Sequence, residues 1–130
     1  WAQREIEANL SESAYWQVTW PLHLGSWYQR QGHMAEAREA YLEALNRATS
    51  TGRKDLEATI QVRFAELEGV LGNLAAAREL AGAAREAFRE LGKGLQVRRA
   101  TDLLQHLGVK ARSGTHLASS GQRSLVKPSG

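Results

Sequence analysis

The chain of 130 residues contains no cysteine, so it holds neither a disulfide framework nor a thiolate metal site. Proline occurs only at 21 and 128, which leaves almost the whole length free to be helical. No segment alternates apolar and polar residues with enough β-branched side chains to read as a strand. No apolar run approaches the roughly 18 residues that a membrane span needs. A phosphate-binding loop is missing too. Gly92-Lys93-Gly94 lacks the long glycine spacing and the Ser/Thr after lysine, and reads as a helix-breaking turn.

What remains is rich in Ala, Leu, Glu, Arg and Gln, the strong helix formers. At 42% hydrophobic and 24% charged, the composition is that of one ordinary globular domain. The absence of cysteine fits a reducing cytoplasm, the location expected here. The chain opens on Trp1 with no secretory leader, the pattern expected of a segment from a longer protein. Net charge is +3, but it is unevenly spread. Residues 1–92 carry 10 Lys/Arg against 13 Asp/Glu, and residues 93–130 carry 7 against the single Asp102. The body is mildly acidic and only the C-terminal end is basic, which is not the pattern of a uniformly basic nucleic-acid face.

Breaks are expected at Ser11–Ser13, Gln31–His33, Ser50–Arg53, Gly72–Asn73, Gly92–Gly94 and after Gly108, mostly because glycine stops a helix cheaply. They predict six helices near 2–11, 15–31, 34–50, 54–71, 74–91 and 95–107, with short connections that pack neighbours antiparallel. Apolar stripes support them: Leu56, Ile60, Phe64, Leu67 and Leu71 follow three- and four-residue steps, as do Leu74, Ala77, Leu80, Ala81, Ala84 and Phe88. Pro21 either starts a helix near Trp20 or lies inside one starting near Ala14. The stripe Trp16, Trp20, Leu24, Trp27/Tyr28 runs straight through it and favours an interior, kinking proline. Residues 109–130 are dominated by Ser, Gly and basic residues and read as a flexible basic tail.

The chain repeats itself at an offset of 40 residues. With Gly32 laid over Gly72, Ala37 falls on Ala77, Arg38 on Arg78, Glu39 on Glu79 and Ala44 on Ala84. Gly25 on one helix, with Ala37 and Ala44 on the next, would let two backbones approach closely, while Leu24, Tyr28 and Tyr41 fill the space beside that seam. Leu24-Gly25, Tyr28, Gly32, Ala37, Tyr41 and Ala44 have the spacing of the tetratricopeptide repeat (TPR), which this stretch resembles. The likeness covers about 18–51 and 58–92, with Phe64-Ala65 in place of Leu24-Gly25, Glu68 in place of Tyr28 and Ala81 in place of Tyr41. Its 40-residue spacing exceeds the usual 34, like the long variants in bacterial signalling proteins. The phrase AREAFRELGKGLQVRRATDLLQHLG also looks like the end of helical-repeat regions attached to bacterial signalling ATPases, cyclases and transcription activators.

The resemblance implies an all-α fold: antiparallel helix–turn–helix repeats stacked in a short right-handed solenoid. Repeat 1 would span about 15–51, repeat 2 about 54–92, and a partial third 95–107, within a domain of 1–108. It also implies a protein-interaction scaffold whose first helices line a groove for a protein or peptide partner. By matching positions, Thr19, Leu22, Ser26, Gln29 and Arg30 would line the groove in repeat 1, and Thr59, Val62, Glu66 and Val70 in repeat 2. That mixture suits a mixed peptide better than a clamp of several basic residues.

No catalytic constellation accompanies these features. His23, His33, His106 and His116 are scattered, no serine has a hydrolase context, and Glu36, Glu39 and Glu43 stand beside Arg38 and Arg47 as ordinary surface charge. The expectation is a chain that is not an enzyme, with no metal and no cofactor. Two other roles stay open: a capping or self-associating segment of a longer helical array, and weak nucleic-acid binding through Arg98, Arg99, Lys110, Arg112, Arg123 and Lys127. Six of the nine aromatics crowd into 15–41, either as repeat core or as an exposed ledge for a partner.

Overall fold

A computed structural model describes the backbone of residues 2–126 and the side chains of Ser13 and residues 15–110. It is all-helical, without a strand among the described residues: α1 (Ala2–Arg30), α2 (Met34–Thr51), α3 (Lys54–Val70), α4 (Leu74–Glu90) and α5 (Gly94–Val126). Each of the four turns is built the same way. Gly32, Gly52, Gly72 and Gly92 all take φ between 70° and 87°, the left-handed region that L side chains avoid. Each glycine donates its N–H three residues back, and the next residue donates five back, as in His33 to Tyr28 O (2.9 Å) and Asn73 to Glu68 O (2.8 Å). That double closure satisfies two of the carbonyls a helix end leaves open. The turn glycines therefore recur every 20 residues, half of the 40-residue repeat.

The expected boundaries of the three middle helices hold to within a residue. The outer two do not. No break occurs at Ser11–Ser13, so six expected helices become five. Residues 2–13 contain neither glycine nor proline, and serine alone costs a helix too little to end it. At the other end, α5 runs on past Gly108 to Val126 where an irregular tail was expected. Gly108 falls outside the 20-residue rhythm, does not take positive φ, and is followed by the helix formers Lys110, Ala111 and Arg112. Residues 127–130 lie outside the described residues.

Pro21 lies inside α1 and is nearly fully buried. A proline has no N–H to give to the carbonyl four residues earlier, here that of Gln17. Arg47 of α2 replaces the missing donor: its Nη1 donates to Gln17 O at 3.0 Å. The break in the α1 ladder is thus answered by a tertiary hydrogen bond.

Packing runs in sequence order: α1 on α2, α2 on α3, α3 on α4, α4 on α5. The seam between α1 and α2 is as close as its small residues require. Ala37, Ala44 and Ala48 are fully buried, and a Cβ built on Gly25 would lie 2.8 Å from two ring carbons of Tyr41. Tyr41 is 1% exposed and heads a core cluster with Val18, Leu22, Ile60, Phe64 and Leu67 that ties α3 to the first helix pair. A second cluster, Ala65, Ala77, Ala81 and Leu107, joins α3, α4 and α5. There Gly69 plays the close-approach role, its absent Cβ leaving room for Leu107 Cδ2 at 2.8 Å. Glu68 is the one charged residue in the described core, and it is 2% exposed. Its carboxylate accepts from Arg38 Nε of α2 at 2.9 Å and from Asn73 Nδ2 at 3.1 Å, which offsets its desolvation.

Candidate partner-binding channel

Three cavities adjoin one another along α1, α3 and α5. The first, about 540 Å³, lies between α1 (His23, Ser26, Gln29, Arg30) and α3 (Arg63, Glu66, Val70), with Met34 and Tyr41 of α2 also lining it. The second, about 480 Å³, opens between Thr59, Val62, Arg63 and Glu66 of α3 and Gln96, Arg99 and Leu103 of α5, with Phe88 of α4. A smaller one of about 180 Å³ adds His106 and Lys110. Glu66 borders all three, and Arg63 borders both large ones. Shared lining residues set the three side by side along the odd-numbered helices, a row termed the channel.

The channel wall is partly held in place by the core. The Tyr41 hydroxyl donates to Gln29 Oε1 at 3.0 Å and lies 3.2 Å from Ser26 Oγ, so both wall residues are tied to a buried ring. Lys110 Nζ donates to the carbonyl of Gly69 at 2.9 Å, near the C-terminus of α3. On α2 and α4 most arginines face acids: Arg47 meets Glu43, Arg85 and Arg89 meet Glu86, and Arg38 meets Glu68, while Arg78 has no ion-pair partner among the described residues. In the channel, Arg30, Arg63 and Arg99 have no ion-pair partner among the described residues, and Glu66 is the single acid lining it.

Seven of the nine expected groove residues line these cavities: Ser26, Gln29, Arg30, Thr59, Val62, Glu66 and Val70. Thr19 and Leu22 do not. Leu22 is 8% exposed and belongs to the core cluster of Val18 and Tyr41, while Thr19 is 3% exposed with its Oγ1 unbonded among the described residues. Both sit on the buried side of α1. Arg63 went unrecognised in the sequence, and Arg99 was named there only within the basic C-terminal end. The 40-residue offset holds the signal: His23, Arg63 and Leu103 share one register position, Ser26, Glu66 and His106 another, and Arg30, Val70 and Lys110 a third. All nine line the channel.

The aromatic cluster divides between core and surface. Tyr41 is buried and Tyr28 half-buried, its ring edge-on to His33. Tyr15, Trp16, Trp20 and Trp27 are exposed, the ledge alternative of the two left open by the sequence, while Val18, Leu22 and Gly25 carry the contact with α2. The basic side chains of Arg112, Arg123 and Lys127 lie outside the described side chains. Compared with known proteins, the chain matches no family model, no curated protein and no solved structure.

Proposed function

We propose that this chain is a protein-interaction module of the tetratricopeptide type, whose channel along α1, α3 and α5 holds an acidic segment of a partner protein. The observation that carries this reading is the convergence of cations on one side of the molecule. Arg30, Arg63 and Arg99 line the channel with Glu66 as the single acid among them. Exposed guanidinium groups without ion-pair partners bind carboxylates through charge-assisted, often bidentate hydrogen bonds. Apolar Val62, Val70 and Leu103 interrupt the cations, so the fitting segment mixes Glu or Asp with aliphatic residues. Placement in a bacterial signalling or regulatory protein, in the cytoplasm, is part of the same proposal and rests on the resemblance of the C-terminal phrase. The test is fluorescence anisotropy with two labelled peptides that share their aliphatic residues, one carrying Glu and the other Lys. The Glu peptide binds and weakens as salt rises; equal binding of both peptides, or of neither, contradicts the reading.

A further inference from the structure

On the side of α1 away from α2, Trp16, Trp20, His23 and Trp27 form a single stripe of steps four, three and four. The three tryptophans are 52%, 62% and 48% exposed, while Val18, Leu22 and Gly25 on the other side are buried. The 40-residue register gives this stripe a meaning. Trp16, Trp20 and Trp27 correspond to Leu56, Ile60 and Leu67 of α3, all buried in the cluster that joins α3 to the preceding helix pair. Ala100 and Leu107 hold two of the same positions in α5 and are buried too. Where α3 and α5 rest on helices, α1 presents bare indoles.

We propose that a second copy of this chain covers the stripe, α1 packing antiparallel on α1 of its partner about a two-fold axis near Pro21–Leu22. The four-three-four spacing reads the same in both directions. Antiparallel pairing therefore sets Trp16 opposite Trp27 of the other copy and Trp20 opposite His23, the reciprocity a two-fold interface demands. Residues 15–29 contain no Asp, Glu, Lys or Arg, so two such faces meet without like-charge repulsion. Half-exposed tryptophans offer roughly 100 Å² each, so the pair buries several hundred Å² in all, at the low end for a specific interface. The dimer is accordingly weak and reversible. The stripe meets the channel at His23, which also borders the first cavity, but the pairing of the tryptophans does not depend on what the channel binds.

Sedimentation equilibrium over a range of concentrations tests it. The chain, 14.4 kDa, is expected to approach twice that mass as concentration rises and to return to monomer on dilution. W20E is expected to remain monomeric at every concentration with unchanged helical circular dichroism, because Trp20 lies opposite the core. W20E/H23K sets the two new charges against each other across the axis and is expected to regain the dimer. A wild-type chain that stays monomeric up to its solubility limit overturns the proposal, as does a W20E variant that still dimerises. Failure of W20E/H23K to regain the dimer overturns the antiparallel pairing. R63A keeps the dimer while losing the acidic peptide, which separates failure of this interface from failure of the channel.

Discussion

The helix pairs α1/α2 and α3/α4 solve one packing problem with opposite choices. In the first, Gly25 gives up its side chain and Tyr41 fills the space, the ring lying 2.8 Å from where a Cβ would be. At the same register positions the second has Ala65 and Ala81, both fully buried in one cluster, and no ring is needed. A second exchange follows close by. Tyr28, edge-on to His33, is replaced by Glu68, bonded to Asn73 and Arg38. Each swap changes two residues together, and because Gly/Tyr has far more side-chain volume than Ala/Ala, what the repeat preserves is a close contact at each position and not the summed volume. Residue identity is secondary to that contact.

The largest effect is expected from Tyr41. Y41A removes a buried ring and should cost about 3–5 kcal/mol in chemical denaturation. G25A alone should cost about 1–3 kcal/mol by overpacking. Together they install the Ala/Ala pair of α3/α4, and the double variant should cost less than the sum by about 0.5–3 kcal/mol. Strict additivity would mean that the two residues are not a unit. Next comes E68A, which strands no buried charge because Arg38 is half-exposed, yet loses two hydrogen bonds. Its expected cost is roughly 1–3 kcal/mol, and an unchanged denaturation midpoint would remove Glu68 from the account.

Smaller still is the bond that answers Pro21. R47A should cost about 0.5–1.5 kcal/mol, and less in a P21A background, where the restored N–H can reach Gln17 O itself. The weakest effect concerns Asp55 beside the turn at Gly52. Partial burial pushes its carboxyl up, but hydrogen bonds from the Arg53 guanidinium and the Leu56 N–H, with the Arg53 charge, outweigh that and hold it below the ordinary carboxylate value. A carboxyl lowered in the folded state adds stability that is present above its ordinary value and lost as pH falls through the lowered one. D55N should therefore flatten a small part of the acid limb of stability and leave neutral pH almost unchanged. An identical acid limb would count against the pairing.

How legible each part was in the sequence depended on whether its signal was local. Glycine at 32, 52, 72 and 92 marks a turn by its own chemistry, so α2, α3 and α4 were readable almost to the residue. Ser11–Ser13 and Gly108 were misread because serine and off-rhythm glycine weaken a helix without ending it. The direction of a helix face is not local. Val18, Leu22 and the three tryptophans are all apolar, and only the place of Gly25 against Tyr41 shows which side turns inward. Thr19 and Leu22 went to the wrong face for that reason, and Arg63 was missed because its column with His23 and Leu103 shows only across the repeats, while Arg99 shares the register of Thr19 and Thr59 and was read only as part of the basic end.

The channel is the central claim, and Arg63 tests it most directly because it borders both large cavities, whereas Arg30 borders the first and Arg99 the second. Anisotropy of the acidic peptide should be measured on R30A, R63A and R99A, each checked for unchanged helicity. A continuous channel predicts that all three weaken binding and that R63A weakens it most. Binding unaffected by R63A, or lost through only one of the outer two, would contradict a single acidic segment lying across α1, α3 and α5.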